Sequence, residues 1–235
     1  MGSENLFNRS RKPKSNQELG RKPASKKTLA KLLIVCEGLK TEPTYFEELI
    51  THFELLTASV IDVTGDCGSS PMCVVRKAKE LQTEKIEQGA SYDEIYIVID
   101  KDAHVDYNNA LDSIQRAKPS KTWIAINSVP CFEFWLLLHY TYTTKAYKNL
   151  PGNSSGNQVL KDLKKHIKKY EKGDKGIFKT TFNALDSKDL NEVIVKAKQC
   201  ERAATSSGTD NPLTMVYKLV ERLLELHALK IANRR

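Results

Sequence analysis

Short apolar runs alternate along the chain with longer stretches of helical spacing. Lys31–Cys36 is a continuous Lys-Leu-Leu-Ile-Val-Cys run, as expected of a strand buried on both faces. Thr41–Leu56 follows, with Tyr45, Phe46, Leu49, Ile50 and Phe53 spaced along one helical face. The alternation then repeats. Strands are predicted at Ser59–Val63, Glu94–Ile99 and Thr122–Ile126, and helices at Met72–Gln88, Tyr107–Ala117 and Cys131–His139. The connections are too long for hairpins. Four such units predict a doubly wound α/β fold: a parallel sheet of about four strands, with right-handed crossovers placing helices on both faces.

The pattern changes after Tyr140. Residues 141–156 are rich in Thr, Lys, Asn, Gly and Ser and read as a loop. Helices are predicted near Gln158–Glu171, Leu190–Ala204 and Leu213–Ala232, the last with Asn211 as N-cap and Pro212 at its first position. The expected organisation is a flexible basic arm over 1–30, an α/β core over 31–140, and a helical extension over 141–235 packed on that core.

Charge sharpens this division. The 235 residues carry a net charge of +8, of which residues 1–30 hold +6 and residues 161–179 hold +5, leaving the rest at −3. Asn8–Lys27 has no apolar periodicity and cannot offset its ordering entropy by burial. It reads either as a solvated tail or as an arm laid along phosphates, through Arg9, Arg11, Lys12 and Lys14. In Lys161–Tyr170 the residues Leu160, Leu163 and Ile167 fall on one stripe, which predicts an amphipathic surface helix. Its lysines Lys164, Lys165, Lys168 and Lys169 are either a plain solvated face or a nucleic-acid-tracking one.

No stretch approaches the roughly 20 apolar residues that span a bilayer, and the basic N-terminus lacks the apolar core of a secretory signal. Five scattered cysteines show neither a metal-binding spacing nor a disulfide framework. A cytoplasmic protein with reduced thiols and no membrane partner is expected.

Ligands of open α/β sheets bind beyond the carboxyl ends of the strands. The first strand ends in Cys36-Glu37-Gly38 and the third in Asp100-Lys101-Asp102. If the two are neighbours, Glu37, Asp100 and Asp102 converge, and close carboxylates stay ionised only beside a cation. Hard oxygen ligands select Mg²⁺ or Mn²⁺. Glu133 stands in an apolar helix start with Phe132, Phe134 and Trp135, where an unpaired charge is expensive, and is a further metal-ligand candidate. Taken singly, each acid could equally be a helix cap or a half-exposed surface residue.

Glu37-Gly38 after a hydrophobic strand, with Asp100-x-Asp102 two strand units on, resembles the Toprim domain of topoisomerases, primases and OLD-type nucleases. Four blocks carry a narrower resemblance: Ile34-Val-Cys-Glu-Gly-Leu-Lys-Thr-Glu-Pro-Thr-Tyr-Phe46, Ile99-Asp-Lys-Asp-Ala-His104, Asn127-Ser-Val-Pro-Cys-Phe-Glu-Phe-Trp-Leu-Leu-Leu-His139 and Asn211-Pro-Leu-Thr214. Together they resemble the RloB family, Toprim-like proteins encoded near restriction and other phage-defence genes, often beside an ATPase. The likeness extends over about residues 31–230. Two positions depart from it: Lys101 stands where arginine is common, and Leu39 where an acid is common.

The resemblance implies a Toprim-like Rossmannoid core and a metal-dependent nuclease acting on DNA or RNA, tRNA included, in anti-phage defence with an ATPase partner. Glu37 would then act as acid/base or metal ligand, with Asp100 and Asp102 holding the metal. His104, on a loop beside the site, is expected to bind phosphate, donate a proton or orient water. Lys40 and Lys101 could stabilise charge developing on phosphorus. His139 reads as a structural hydrogen-bonding residue, and Asn211 and Thr214 as an N-cap and first-turn residue. Two other readings remain: a nucleic-acid-binding or effector-sensing module with an inactive site, and a nucleotidyltransferase using the same acids. Gly65–Ser70 lacks a phosphate-loop lysine, so ATP hydrolysis by this chain is not expected.

Overall fold

The computed structural model of the chain describes residues 30–57, 61–65, 70–101 and 104–233. The basic arm with Arg9, Arg11, Lys12 and Lys14 lies outside them, as does Asp102. Among the described residues five strands form one sheet: β1 (Leu32–Cys36), β2 (Ile61–Thr64), β3 (Glu94–Asp100), β4 (Trp123–Val129) and β5 (Leu213–Thr214). The order is β2-β1-β3-β4-β5, parallel throughout except for the β4–β5 pair. The helices are α1 (Thr41–His52), α2 (Pro71–Glu87), α3 (Tyr107–Arg116), α4 (Glu133–Leu138), α5 (Ser155–Leu163), α6 (Ile177–Asn183), α7 (Asn191–Ser206) and α8 (Val216–Asn233).

This is a mixed α/β, Rossmann-like fold, as the periodicity predicts. All five residues of β1 are buried because each side of the sheet is covered. Leu33, Val35, Ile95, Ile97 and Ile99 pack on one side with Val74, Val75 and Ala78 of α2 and Ala110 and Ile114 of α3. Leu32, Ile34, Tyr96, Val98 and Ile126 face the other side. There they join one core with Tyr45 and Phe46 of α1, Trp135 of α4 and Leu219 and Val220 of α8. The C-terminal segment therefore shares the core of the sheet, and it adds a strand to it.

That strand corrects the helix start read at Leu213. Ser128 and Val129 pair with Thr214 and Leu213, so Leu213–Thr214 is extended and α8 begins only at Val216. Asn211 is not its N-cap. Its side chain accepts from the Tyr147 backbone N–H at 3.1 Å and donates to the Tyr147 carbonyl at 2.6 Å, tying the 141–156 stretch to the edge of the sheet. Thr214 Oγ1 accepts the N–H of Val216, the first residue of α8, at 3.3 Å and lies 3.1 Å from Ser128 Oγ. A sheet partner far away in sequence overrides the local Asn-Pro signal.

The lysine helix is also corrected. α5 starts earlier than predicted, with Ser154 Oγ accepting the Asn157 N–H at 3.1 Å, and it stops at Leu163. The chain continues in turns to Tyr170. Continuing the helix would set Lys164 over Lys168 and Lys165 over Lys169, like charges at a spacing that weakens helices. Asp162 instead gathers Lys145 at 2.7 Å and Lys165 at 2.6 Å. α6 was not anticipated, since only Ile177, Phe178 and Phe182 mark it.

Candidate functional site

Parallel pairing brings three strand ends to one edge. Cys36 is in register with Val98 and Asp100 with Ser128, so the residues that follow β1, β3 and β4 emerge together. The Glu37 N–H donates to the Val98 carbonyl at 3.0 Å, continuing the ladder one residue past β1. The Asp100 N–H then donates to Glu37 Oε2 at 3.1 Å. His104 Nε2 lies 3.3 Å from the other Glu37 oxygen. Asp100 turns toward α4, where its Oδ2 accepts the Phe132 N–H at 3.1 Å. Its Oδ1 is buried and has no hydrogen-bond partner among the described residues.

Glu133 opens α4 and is only 2 % exposed. Its Oε1 receives Lys172 Nζ at 3.3 Å and the Tyr170 hydroxyl at 3.4 Å. A fourth acid, Glu42, joins them from the first turn of α1 and is 7 % exposed. A Cβ on Gly38 would collide with Glu42 Oε2, so the glycine makes room for this carboxylate. Glu37, Gly38, Leu39, Lys40, Thr41, Glu42 and Lys172 line a cavity of about 520 Å³.

The electrostatics show an excess of negative charge. Burial pushes Glu42 up from 4.5 to about 7, with the charges of Glu133 and Glu37 adding to the effect and Lys172 opposing it. Burial, then the charges of Glu42 and Glu133, hold Asp100 well above the usual carboxylate range. Burial draws Lys172 downward, but the Glu133 charge outweighs it and the ammonium stands above the ordinary lysine value.

Glu37 and Asp100 are thus brought together as the strand ends suggested, Glu133 and His104 stand beside them, Asp102 lies outside the described residues, and Glu42 was missed. The signal for it lay in the Thr41-Glu42-Pro43 step, where an acid enters the first turn of an otherwise apolar helix. Lys101 points its ammonium at Asp210, and Lys40 lines the cavity. His139, 2 % exposed, is structural: its Nδ1 lies 3.0 Å from the Trp135 carbonyl and its Nε2 3.4 Å from the Tyr45 hydroxyl. Burial lowers its pKa to about 4 and keeps the ring neutral. Lys164, Lys165, Lys168 and Lys169 are exposed, but on turns and not on a helix face. Cys73, Cys131 and Cys200 are free thiols among the described residues.

No three His, Cys, Asp or Glu side chains among the described residues already converge on a common metal position. The residues nonetheless fit a hard divalent cation. The donor set is carboxylate oxygen, one buried oxygen of Asp100 is unsatisfied, and two of the acids are pushed up by burial and by the charges around them.

The chain is therefore a Rossmann-like α/β protein with a buried carboxylate cluster at the carboxyl edge of its sheet. It belongs to the RloB-like protein family, whose family model matches residues 32–223. No curated protein and no solved structure matches it. No helix among the described residues is long and apolar enough to cross a membrane.

Proposed function

We propose that this RloB-like protein is a Mg²⁺- or Mn²⁺-dependent nuclease that cleaves DNA or RNA phosphodiesters in the cytoplasm as part of defence against phage. The observation that carries the reading is the orphaned, buried Asp100 Oδ1 among carboxylates that raise one another's pKa. A fold keeps such a cluster at a cost of several kcal/mol per ion unless a cation relieves it. Adjacent acids after β1 and β3 are also what the Toprim-like resemblance leads one to expect.

Glu37, Glu42, Asp100 and Glu133 would hold the metal, together with Asp102. A bound divalent cation supplies Lewis-acid polarisation of a phosphoryl oxygen and a water of lowered pKa. Glu37 would hold or move a proton at Oε1, which lies 3.3 Å from His104 Nε2. Lys40, at the lip of the cavity, binds the phosphate. Lys101 is paired with Asp210 and is not among the residues that line this cavity. Exposed Lys164, Lys165, Lys168 and Lys169 would bind the phosphates of the strand outside the site, and the basic arm read from the sequence would add to them. An ATPase encoded beside it is the expected partner.

Purified protein with Mn²⁺ is to be offered plasmid, single-stranded DNA and tRNA, alongside Asp100→Asn and Glu37→Gln. Cleavage by the wild type, lost in both variants, supports the proposal. Absence of both cleavage and Mn²⁺ binding refutes it. Lys172 already neutralises part of the cluster, which favours a second reading: a nucleic-acid-binding or effector-sensing module with an inactive site. That module would bind nucleic acid in a salt-dependent manner, with no change in Glu37→Gln and no Mn²⁺ bound.

A further inference from the structure

A carboxylate as buried as Glu133, among Phe132, Phe134 and Trp135, must be paired, and none of those neighbours can pair it. Its cation comes from Lys172, on the segment that joins the turns after α5 to α6. That segment is laid across the site. Tyr170 is buried and reaches Glu133 with its hydroxyl. The Gly173 N–H donates to Thr41 Oγ1 at 3.1 Å. Gly173 has a φ of +86°, and a Cβ there would stand 2.6 Å from Lys40 Cβ, so the backbone lies directly on the Lys40-Thr41 turn. At the far end the N–H groups of Gly176 and Phe178 donate to the Glu48 carboxylate of α1. Residues 170–176 thus form a strap pinned at both ends over the N-terminus of α1 and the cavity beneath it.

The cation on this strap is unlike a structural one. Lys230 ties α8 to Glu54 with its side chain only 5 % exposed. Lys172 has a side chain 65 % exposed, with its ammonium 3.3 Å from Glu133 Oε1. Lys172 is exposed and belongs to neither apolar core, so its side chain is not held in place by core packing. Two glycines at positive φ, Gly173 and Gly176, give the strap its turns.

We propose that Lys172 is the resident counter-cation of the acid cluster, and that the 170–176 strap is a latch which a divalent cation opens by replacing the ammonium at Glu133. The inference rests on the metal site proposed above and adds its regulation. In the metal-free protein the latch is closed and neutralises Glu133. Cation entry makes the ammonium a like charge beside the metal, so Lys172 leaves and the strap loosens.

Mn²⁺ binding to the full-length chain, followed by calorimetry, tests this with Lys172→Met and Lys172→Arg. Without the competing charge, Lys172→Met binds Mn²⁺ roughly tenfold tighter than wild type, while the charge-retaining Lys172→Arg stays close to wild type. Backbone hydrogen exchange at 170–176 rises on adding Mn²⁺ to wild type and is already high in metal-free Lys172→Met. If Lys172→Met is unfolded by circular dichroism, Gly173→Ala serves instead. It keeps the lysine but lifts the strap off Lys40, and it too binds Mn²⁺ more tightly. Equal or weaker Mn²⁺ binding in the folded variant, or unchanged exchange at 170–176, overturns the latch and leaves the metal site standing. Mn²⁺ binding by neither wild type nor variant overturns both.

Discussion

Replacing Glu42 by glutamine removes a charge from the crowded cluster while keeping the shape that fits against Gly38. The buried carboxyl of Glu42 is held at about 7 in the folded chain against an ordinary 4.5. Below pH 4.5 it is protonated whether the chain is folded or not, and it carries no penalty. Between pH 4.5 and about 7 the unfolded state ionises Glu42, whereas the folded state keeps it protonated beside Glu133 and Glu37. Stability is therefore lost as pH rises through this window. A displacement from 4.5 to about 7 corresponds to a loss of about 3 kcal/mol, complete above pH 7. Glutamine has nothing to ionise. In metal-free buffer Glu42→Gln should match wild type at pH 4.5 and exceed it by about 3 kcal/mol at pH 8, or roughly 6–12 °C in melting temperature for a chain of this length. Denaturant melts with a chelator at the two pH values measure this. Adding Mn²⁺ at pH 8 should stabilise wild type more than the variant. An advantage of the same size at both pH values, or a variant less stable at pH 8, would refute the argument that charge crowding strains the site.

Other expectations follow from single residues. His139 has its pKa lowered from 6.5 to about 4 by burial, so stability is lost as pH falls from 6.5 toward 4, by about 3 kcal/mol in all. Its imidazole resonances should show no titration between pH 5.5 and 8 while the chain stays folded. Gly38→Ala puts a methyl where Glu42 Oε2 lies and must displace that buried carboxylate, so Mn²⁺ affinity measured by calorimetry should fall. Arg222 grips Glu94 through Nε and Nη2 at 2.6–3.0 Å, joining α8 to β3, and Arg222→Ala should cost about 1–2 kcal/mol in a denaturant melt. Replacing Lys164, Lys165, Lys168 and Lys169 by alanine should flatten the salt dependence of nucleic-acid binding, by about one unit of log–log slope for each phosphate no longer neutralised.

Much of the site was legible because strand ends are legible. A continuous apolar run that breaks at an acid places that acid at the edge of a sheet, and two such runs, ending at Glu37 and Asp100, are adjacent in the β2-β1-β3-β4-β5 order. Glu133 was legible as an acid in apolar company. Glu42 was not, because an acid in a first helical turn is ordinary. Lys172 could not be distinguished from seven other lysines between residues 161 and 179.

The sequence by itself determined the α/β alternation, the strand that ends in Glu37, the strand that ends in Asp100, and the division of charge between basic segments and an acidic body. These follow from periodicity and composition, which are local. Only the tertiary structure decided that Leu213–Thr214 is a strand, that the lysine helix stops at Leu163, and that Lys172 neutralises Glu133 from 39 residues away. The physical reason is the same in each case. A sheet edge and a buried carboxylate must be satisfied by whatever the fold brings to them, and that partner's distance along the chain leaves no mark in its local pattern.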